Sequence, residues 1–347
     1  MKAMMKKPVT IKDIAREAGV SPSLVSFALN NSIDDKGQKR YKVNDQTARR
    51  ILQIARKYNY VQNSAARALR SRRSRAIGVV LTDISNSFFS SIARHIEDEA
   101  FAANYTVLFG STDEKAEKME RVIALLLSKG VDGLIIVPCE HCEPIIESVL
   151  ERNIPVVLLD RDVESAMVNR VVLDNEQACR KAVQALFDGG FRRIEMISYD
   201  MQVANIARRE AGYALAMDEL GLGDHTKVHH ISYHEVGNAM DECIASIDFD
   251  KTDALLFATN TLSVAGVKAL QRKGLLKNRQ IGLVAFDGSD AFDLCPLSIA
   301  YIKQPVEQFA HEALMRVIRK ITHPENEPST LVLAPTFVDG ESVHRNE

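Results

Sequence analysis

From Ala76 onward the chain alternates short unbroken apolar runs with stretches of helical period, and this alternation limits the possible fold more than any other feature. The runs are IGVVLTD (77–83), YTVLFGS (105–111), GLIIVP (133–138), VVLLD (156–160), VVLD (171–174), RIEMIS (193–198), DALLFAT (253–259) and QIGLVAFD (280–287). A strand that is apolar at every position is buried on both faces, and strands separated by helices pair in parallel. Two such series predict two lobes, each a doubly wound parallel sheet. Neither G-x-G-x-x-G nor G-x-x-x-x-G-K-[ST] occurs, so a dinucleotide fingerprint and a phosphate loop are both missing, and no cofactor is expected.

Ahead of this body lies a different kind of sequence. Residues 1–75 carry 18 Lys or Arg against 5 Asp or Glu, while the remainder carries 26 against 41. A basic end on an acidic body points to a polyanion-binding module. The segment also has helix punctuation. Thr10 precedes Ile11, Ile14, Ala15 and Ala18 at helical spacing, with Asp13 placed for a capping box. Gly19 ends that helix, Ser21 caps the next, and Pro22 takes its first position. Leu24, Val25, Ala28 and Leu29 form the second stripe, and a third helix is predicted from Asn44 or Asp45 to Tyr58. The Gly-containing joint is that of a helix-turn-helix, whose second helix enters the DNA major groove by its N-terminal part. Ser23 and Ser26 then offer hydrogen bonds to phosphate or a base edge. Phe27 either makes apolar contact with DNA or joins the core, and the sequence leaves both open.

Composition narrows the setting. No stretch approaches the roughly 20 apolar residues of a membrane span, and the basic N-terminus has no apolar region behind it. The five scattered cysteines fit reduced thiols, so a cytoplasmic location is expected. Cys139 and Cys142 form a C-x-x-C without a second ligand pair at zinc spacing. His225, His229, His230 and His234 cluster, but adjacent residues on a strand point to opposite faces. No metal site is expected from either group. Nor is there a nucleophile-elbow motif or a pair of carboxylates in a hydrolytic pattern, so the chain is not expected to be an enzyme.

Beyond the strand ends, where ligands of open sheets bind, lie Thr82, Asp83, Asp160, Arg161, Asn260 and Asp287, with Arg209 in a loop-to-helix segment. Carboxylates and a guanidinium form paired hydrogen bonds that suit the vicinal hydroxyls of a sugar or the edge of a base. Phe88 and Phe89 offer ring faces or lie in the core. Asp160 reads equally as a turn cap, and Arg209 as a partner of Glu210 on a helix surface.

The segment VTIKDIAREAGVSPSLVSFALNN resembles the headpiece of the lactose repressor and purine repressor family (LacI/GalR type), whose pattern is V-T-x-x-D-[VI]-A-x-x-A-G-V-S-x-x-T-V-S-R-x-L-N. IGVVLTDISNSFFS, GVDGLII, IPVVLLDR, RREAGY and YIKQPV resemble the rest of that family, so the likeness covers essentially the whole chain. It implies an all-α helix-turn-helix headpiece plus a two-lobed, periplasmic-binding-protein-like α/β body. The protein is then expected to be a ligand-responsive DNA-binding repressor or other transcriptional regulator, acting on its operator as a homodimer. The implied division is a headpiece at 1–62, a hinge at 63–75, and an effector-binding and dimerisation body at 76–347. Within the body, the first lobe would span about 76–173 and 303–328 and the second about 174–302 and 329–343.

The implied DNA contacts are Thr10, Ser21, Pro22, Ser23, Ser26, Phe27, Asn30 and Lys42, with Asn63, Ala66, Arg67 and Leu69 in the hinge. In the family the leucine matching Leu69 wedges into the minor groove, and the residue matching Ala66 lets paired hinge helices approach. The hinge otherwise reads as a plain charged linker. Family members use the positions matching Arg209, Asn260 and Asp287 for effector, and Asp160 matches a further cleft position. The departures are Phe27 where the family commonly has a guanine-reading Arg, Gln62 for a proline, a longer basic loop from Asn31 to Val43, and Asn260-Thr261 for Asn-Asp. Operator sequence and effector identity therefore do not carry over. Two other readings compete: a binding protein for sugar uptake, and an enzyme on the same fold.

Overall fold

The computed structural model describes residues 9–30, 43–60, 73–163, 167–276 and 281–345. The chain divides into two compact units, Met1–Arg72 and Arg73–Glu347.

The described part of the first unit contains α1 (Ile11–Ala18), α2 (Pro22–Asn30) and α3 (Asp45–Lys57). The Thr10 amide and hydroxyl both donate to the Asp13 carboxylate, at 3.0 and 2.7 Å, which fixes where α1 starts. It stops at Gly19, whose φ of 66° is left-handed and open to glycine without strain. Asn44 caps α3 by accepting from the Gln46 amide at 2.9 Å. Ile14, Val25 and Ile51, one from each helix, are wholly buried together. Each such side chain contributes about 1.5–3 kcal/mol, the main source of stability in so small a unit.

The second unit holds two six-stranded sheets. The first runs β11-β5-β4-β3-β1-β2, comprising β1 (Ala76–Leu81), β2 (Thr106–Ser111), β3 (Gly133–Ile136), β4 (Val156–Asp160), β5 (Asn169–Leu173) and β11 (Thr330–Leu333), all parallel. The second runs β12-β10-β9-β8-β6-β7, comprising β6 (Ile194–Tyr199), β7 (Lys227–Ile231), β8 (Ala254–Phe257), β9 (Gly282–Phe286), β10 (Ala300–Lys303) and β12 (Thr336–Val338). Its last strand, β12, pairs antiparallel with β10. The described helices of this unit are α4 (Ser87–Ala102), α5 (Ala116–Ser128), α6 (Glu143–Glu151), α7 (Asn175–Asp188), α8 (Ala204–Glu219), α9 (Val236–Ser246), α10 (Asn260–Arg272) and α11 (Val306–Thr322).

The chain passes between the sheets three times: after β5, after β10, and between β11 and β12. This corrects the expected lobe boundaries. Residues 330–333 were assigned to the second lobe, yet β11 pairs with β5 from Thr330↔Arg170 to Leu333↔Leu173, so the last crossing falls after Leu333. Residue 303 moves the other way, because β10 carries through Lys303 in the second sheet. Both strands are only four residues long, too short a run to announce which sheet they join. At the N-terminal edge of the body, Ser74 and Arg75 are bonded to Asp132, so the compact body begins before Ala76.

Candidate functional site

The carboxyl ends of both sheets face one cleft, which encloses about 50 Å³ of free space, well below the range usual for occupied small-molecule sites. Thr82, Phe88, Phe89, Asp160, Arg209, Asn260 and Asp287 all line it. Asp83 does not. Its Oδ1 accepts from the Ser85 amide and hydroxyl at 2.8 and 2.7 Å, so it holds the turn into α4. Consecutive residues leaving a strand point to opposite sides, and Thr82 takes the side that faces the cleft.

The centre of the cleft is ionic. Asp160 ends β4 and Asp287 follows β9, each in a left-handed conformation, φ 65° and 63°. Left-handed non-glycine residues store strain of about 1–3 kcal/mol and gather at functional sites. Burial raises the pKa of Asp160, opposed by Arg209 and then Arg161. Burial likewise pushes Asp287 up to about 6, opposed by its hydrogen bond from Gln304. Asp160 Oδ2 accepts from Asn205 Nδ2 at 3.1 Å, so the residue is not a simple turn cap; its Oδ1 makes no hydrogen bond. Asp287 has both oxygens held by Gln304, through its amide at 3.3 Å and its side chain at 2.9 Å.

Arg209 is buried in the cleft wall, not on a helix surface, and Glu210 pairs with His230 instead at 3.1 Å. Its Nε donates to Asn175 Oδ1 and its NH1 to the Ala258 carbonyl, both at 2.7 Å, and its guanidinium lies 3.7 Å from the Phe286 ring centre. Backbone packing sets this position. Gly212, on α8, lies so close to α7 that a Cβ there would stand 2.4 Å from the Glu176 carbonyl oxygen. Only glycine lets α8 approach far enough for Arg209 to reach Asn175.

A second buried guanidinium, Arg161, is bidentate to Glu114 at 2.7 Å for each bond and also donates to the Pro138 carbonyl at 3.0 Å. Burial opposes its charge, but Glu114, joined by Asp160 and Tyr233, more than offsets burial and raises its pKa. Asn260 is engaged at both ends: Oδ1 accepts from Ser87 Oγ at 3.0 Å and Nδ2 donates to the Gly288 carbonyl at 3.3 Å. Thr261 accepts from Asn86 Nδ2 at 3.4 Å, another contact across the cleft. Glu140 Oε1 accepts from the Gln202 amide at 2.5 Å, and Arg208 meets Asp162 at 3.2 Å, so side chains join the lobes around the rim.

Phe88 and Phe89 stack edge to face at 5.1 Å and, at 7% and 5% exposed, belong to the core, where they also border the cleft. Sequence reasoning missed Glu114, Tyr199, Asn205, Tyr233 and Gln304 in the lining. Tyr199 ends β6 and Gln304 follows β10, so the strand-end rule applied uniformly would have found them. Burial pushes the Tyr199 hydroxyl up to about 12, so it stays protonated.

In the headpiece, Ser21, Pro22 and Ser23 are exposed at the start of α2, and Ser21 Oγ accepts from the Leu24 amide at 3.2 Å. Thr10 is occupied in the cap of α1. Ser26, expected to face outward, is only 9% exposed. At about 100° per residue it stands a quarter turn from fully buried Val25, on the flank of the packed face, whereas Ser23 and Phe27 lie nearly opposite Val25. Phe27 is half-buried. The side chain of Asn30, and all of Lys42, Asn63, Ala66, Arg67 and Leu69, lie outside the described residues.

Among the described residues no group of three His, Cys, Asp or Glu side chains is arranged to hold a metal ion, and no helix is long and apolar enough to cross a membrane. His229 pairs with Glu195 and His230 with Glu210, on opposite faces of β7.

A helix-turn-helix unit carried with a two-lobed body around a polar cleft defines a ligand-sensing DNA-binding regulator, and comparison with known proteins agrees. The family description "Bacterial regulatory proteins, lacI family" matches residues 10–63, and "Periplasmic binding proteins and sugar binding domain of LacI family" matches residues 74–338. The chain belongs to the LacI family and is a DNA-binding transcriptional regulator. It is 28% identical over 341 residues to catabolite control protein A of Priestia megaterium, covering 95% of this chain and 98% of that protein. It is 25% identical over 338 residues to the ribose operon repressor of Haemophilus influenzae, with 96% and 98% covered. In fold it is similar to a lac repressor dimer bound to operator and the anti-inducer ONPF, with TM-score 0.82, 20% identity, and 97% and 100% covered. These relatives are regulators, not enzymes.

Proposed function

We propose that this regulator is a repressor whose operator affinity is set by a neutral, polyhydroxylated small molecule, a sugar or close derivative, bound between the lobes. The observation that carries this reading is the Asp160–Arg209–Asp287 cluster, in which Asp160 Oδ1 and the cleft-facing Gln304 Oε1 are buried acceptors without a hydrogen bond. A ligand that fits supplies hydroxyl donors to these and acceptors to the guanidinium. The charge balance supports a neutral ligand. Glu114, Asp160 and Asp287 face Arg161 and Arg209, one anion in excess, so an added carboxylate or phosphate meets net repulsion. Similarity to a ribose operon repressor, and in fold to a CelR–cellobiose complex (TM-score 0.68, 22% identical), fits the same reading.

The headpiece, residues 1–62, reads a two-fold-symmetric operator as part of a homodimer in the cytoplasm. Ser23 and Phe27 are its base-facing residues, and residues 63–75 act as the hinge. The body performs no catalysis. Selection of bound sequences from a random duplex pool tests the DNA half of this reading. An enriched symmetric site supports it, whereas binding that is steeply salt-dependent but unselective counts against it. The selected site then reports a panel of neutral sugars, sugar acids, sugar phosphates and nucleobases. A response confined to the charged sugars, or to nucleobases, would refute the neutral-polyol assignment.

A further inference from the structure

The point where the N-terminal segment enters the body is held by one carboxylate. Asp132, immediately before β3, accepts from the Ser74 amide at 2.7 Å and the Ser74 hydroxyl at 2.9 Å on Oδ1, and from the Arg75 amide at 2.9 Å on Oδ2. Its own amide donates to the Ala76 carbonyl at 2.7 Å. The clasp thus holds three consecutive residues from one side chain and its backbone.

Arg75 within the clasp has φ 60°, left-handed, which a non-glycine residue adopts only when its surroundings impose it. The next peptide unit is fixed as well, since the Arg75 carbonyl accepts from the Thr106 amide at 2.8 Å and the Arg75 side chain lies 5.2 Å from the Tyr105 ring centre. A strained turn with its direction set from two strands is more than a linker needs.

This site is also tied to the cleft. Arg73 NH2 donates to the Ile321 carbonyl at 3.2 Å, in the last turn of α11. The other end of α11 starts two residues after Gln304, which binds Asp287 in the cleft. Seventeen helical residues span about 25 Å as one rigid element, and α11 packs along α4 and on β3, the strand that Asp132 precedes.

We infer that Asp132 is a positioning residue for DNA binding: it fixes the direction in which the segment toward the headpiece leaves the body, and so couples the state of the cleft to operator affinity. The coupling half of this inference rests on the effector reading proposed above. Asp132 is not among the residues that line the cleft, so a substitution there removes no group from the effector site.

The test uses the full chain with Asp132→Asn, which keeps the shape but turns an amide toward donors. Ser74→Ala, which removes one of the three hydrogen bonds to Asp132 together with the one the Ser74 hydroxyl accepts from the Ala76 amide, guards against a folding defect. Affinities are measured for the selected operator and for unrelated duplex, with and without D-glucose, D-ribose and cellobiose as probes, and each variant is checked by thermal melting. For Asp132→Asn the operator Kd is expected to rise about tenfold or more, unrelated-duplex affinity to stay within about twofold, and any sugar-induced change in operator affinity to shrink to under about threefold. Ser74→Ala should shift the same quantities in the same direction by less. Operator affinity within about twofold of wild type in both variants, or an equal loss on both duplexes, overturns the inference. If no probe sugar affects the wild-type protein, the neutral-sugar reading is what fails, and the ratio of operator to unrelated-duplex affinity still decides whether Asp132 positions the segment.

Discussion

The two lobes of the body repeat one design and diverge at its centre. Reading each sheet from its outer edge, β2-β1-β3-β4-β5-β11 corresponds strand for strand to β7-β6-β8-β9-β10-β12. At the end of the fourth strand in chain order, each lobe places an aspartate in the left-handed conformation facing the cleft, Asp160 in one and Asp287 in the other. What differs is the company. The first lobe surrounds Asp160 with a guanidinium already neutralised by Glu114 and leaves one carboxylate oxygen without a partner. The second lobe holds both oxygens of Asp287 with Gln304 and supplies Arg209, pinned by Asn175 and Ala258. Equivalent backbone positions have thus taken different parts, one carboxylate left with an oxygen unpartnered and the other held at both oxygens.

Removing the counter-charge of one guanidinium, or the other guanidinium itself, tests that division most severely. Glu114→Gln leaves Arg161 buried without its counter-charge, which costs about 3–5 kcal/mol, so the body's melting temperature is expected to fall by about 10 °C. A drop of under about 2 °C in calorimetry would mean that the pair is solvated and the first lobe is not held as described. In the second lobe, Arg209→Met should lower sugar affinity by about 100-fold in calorimetric titration, the loss expected when one partner of a buried charge cluster is truncated. Unrelated-duplex affinity should be unchanged.

The aspartates provide the sharper contrast. Asp160→Asn replaces the unpartnered acceptor and should weaken sugar binding by about tenfold or more; Asp287→Asn should weaken it by less. Equal losses would erase the distinction between the lobes. The smallest effect is a pH dependence. Because burial raises Asp287 to about 6, above its unfolded value, the folded body holds that proton more tightly. This contribution to stability is complete below about pH 4 and is lost as the pH rises through about 6. Asp287→Asn should flatten that slope by on the order of 1 kcal/mol, as measured by the difference between wild-type and variant unfolding curves at pH 4 and pH 7.

The sequence announces these lobes unevenly. Strands buried on both faces, such as β1, β3, β8 and β9, are continuous apolar runs and could be read directly. β7 was legible only as a strand around His229 and His230; Lys227 to Ile231 is an edge strand whose pairing to β6 is a tertiary fact. β11 and β12 were hidden, which is why the last crossing was misplaced. In the site, residues at strand ends were legible because geometry alone sends them to the cleft. Glu114 was not, since its role depends on Arg161, 47 residues away in sequence. Ser26 shows the converse error. A hydroxyl on a short helix looks solvent-facing until the neighbouring helices have packed against that helix.

The threading of the body has a consequence for how the protein is made. Synthesis runs from the N-terminus at about 5–20 residues per second, so the headpiece emerges well before the body is complete. The first sheet lacks its edge strand until Leu333 has been translated, and the second lacks its own until Val338. A ribosome that stops between Gln304 and Ser329 releases a chain with both sheets unfinished. Such a product carries the headpiece on two open sheet edges, the kind of template on which other chains pair and aggregate. For this protein, therefore, a late nonsense mutation is expected to be as damaging to the body as an early one.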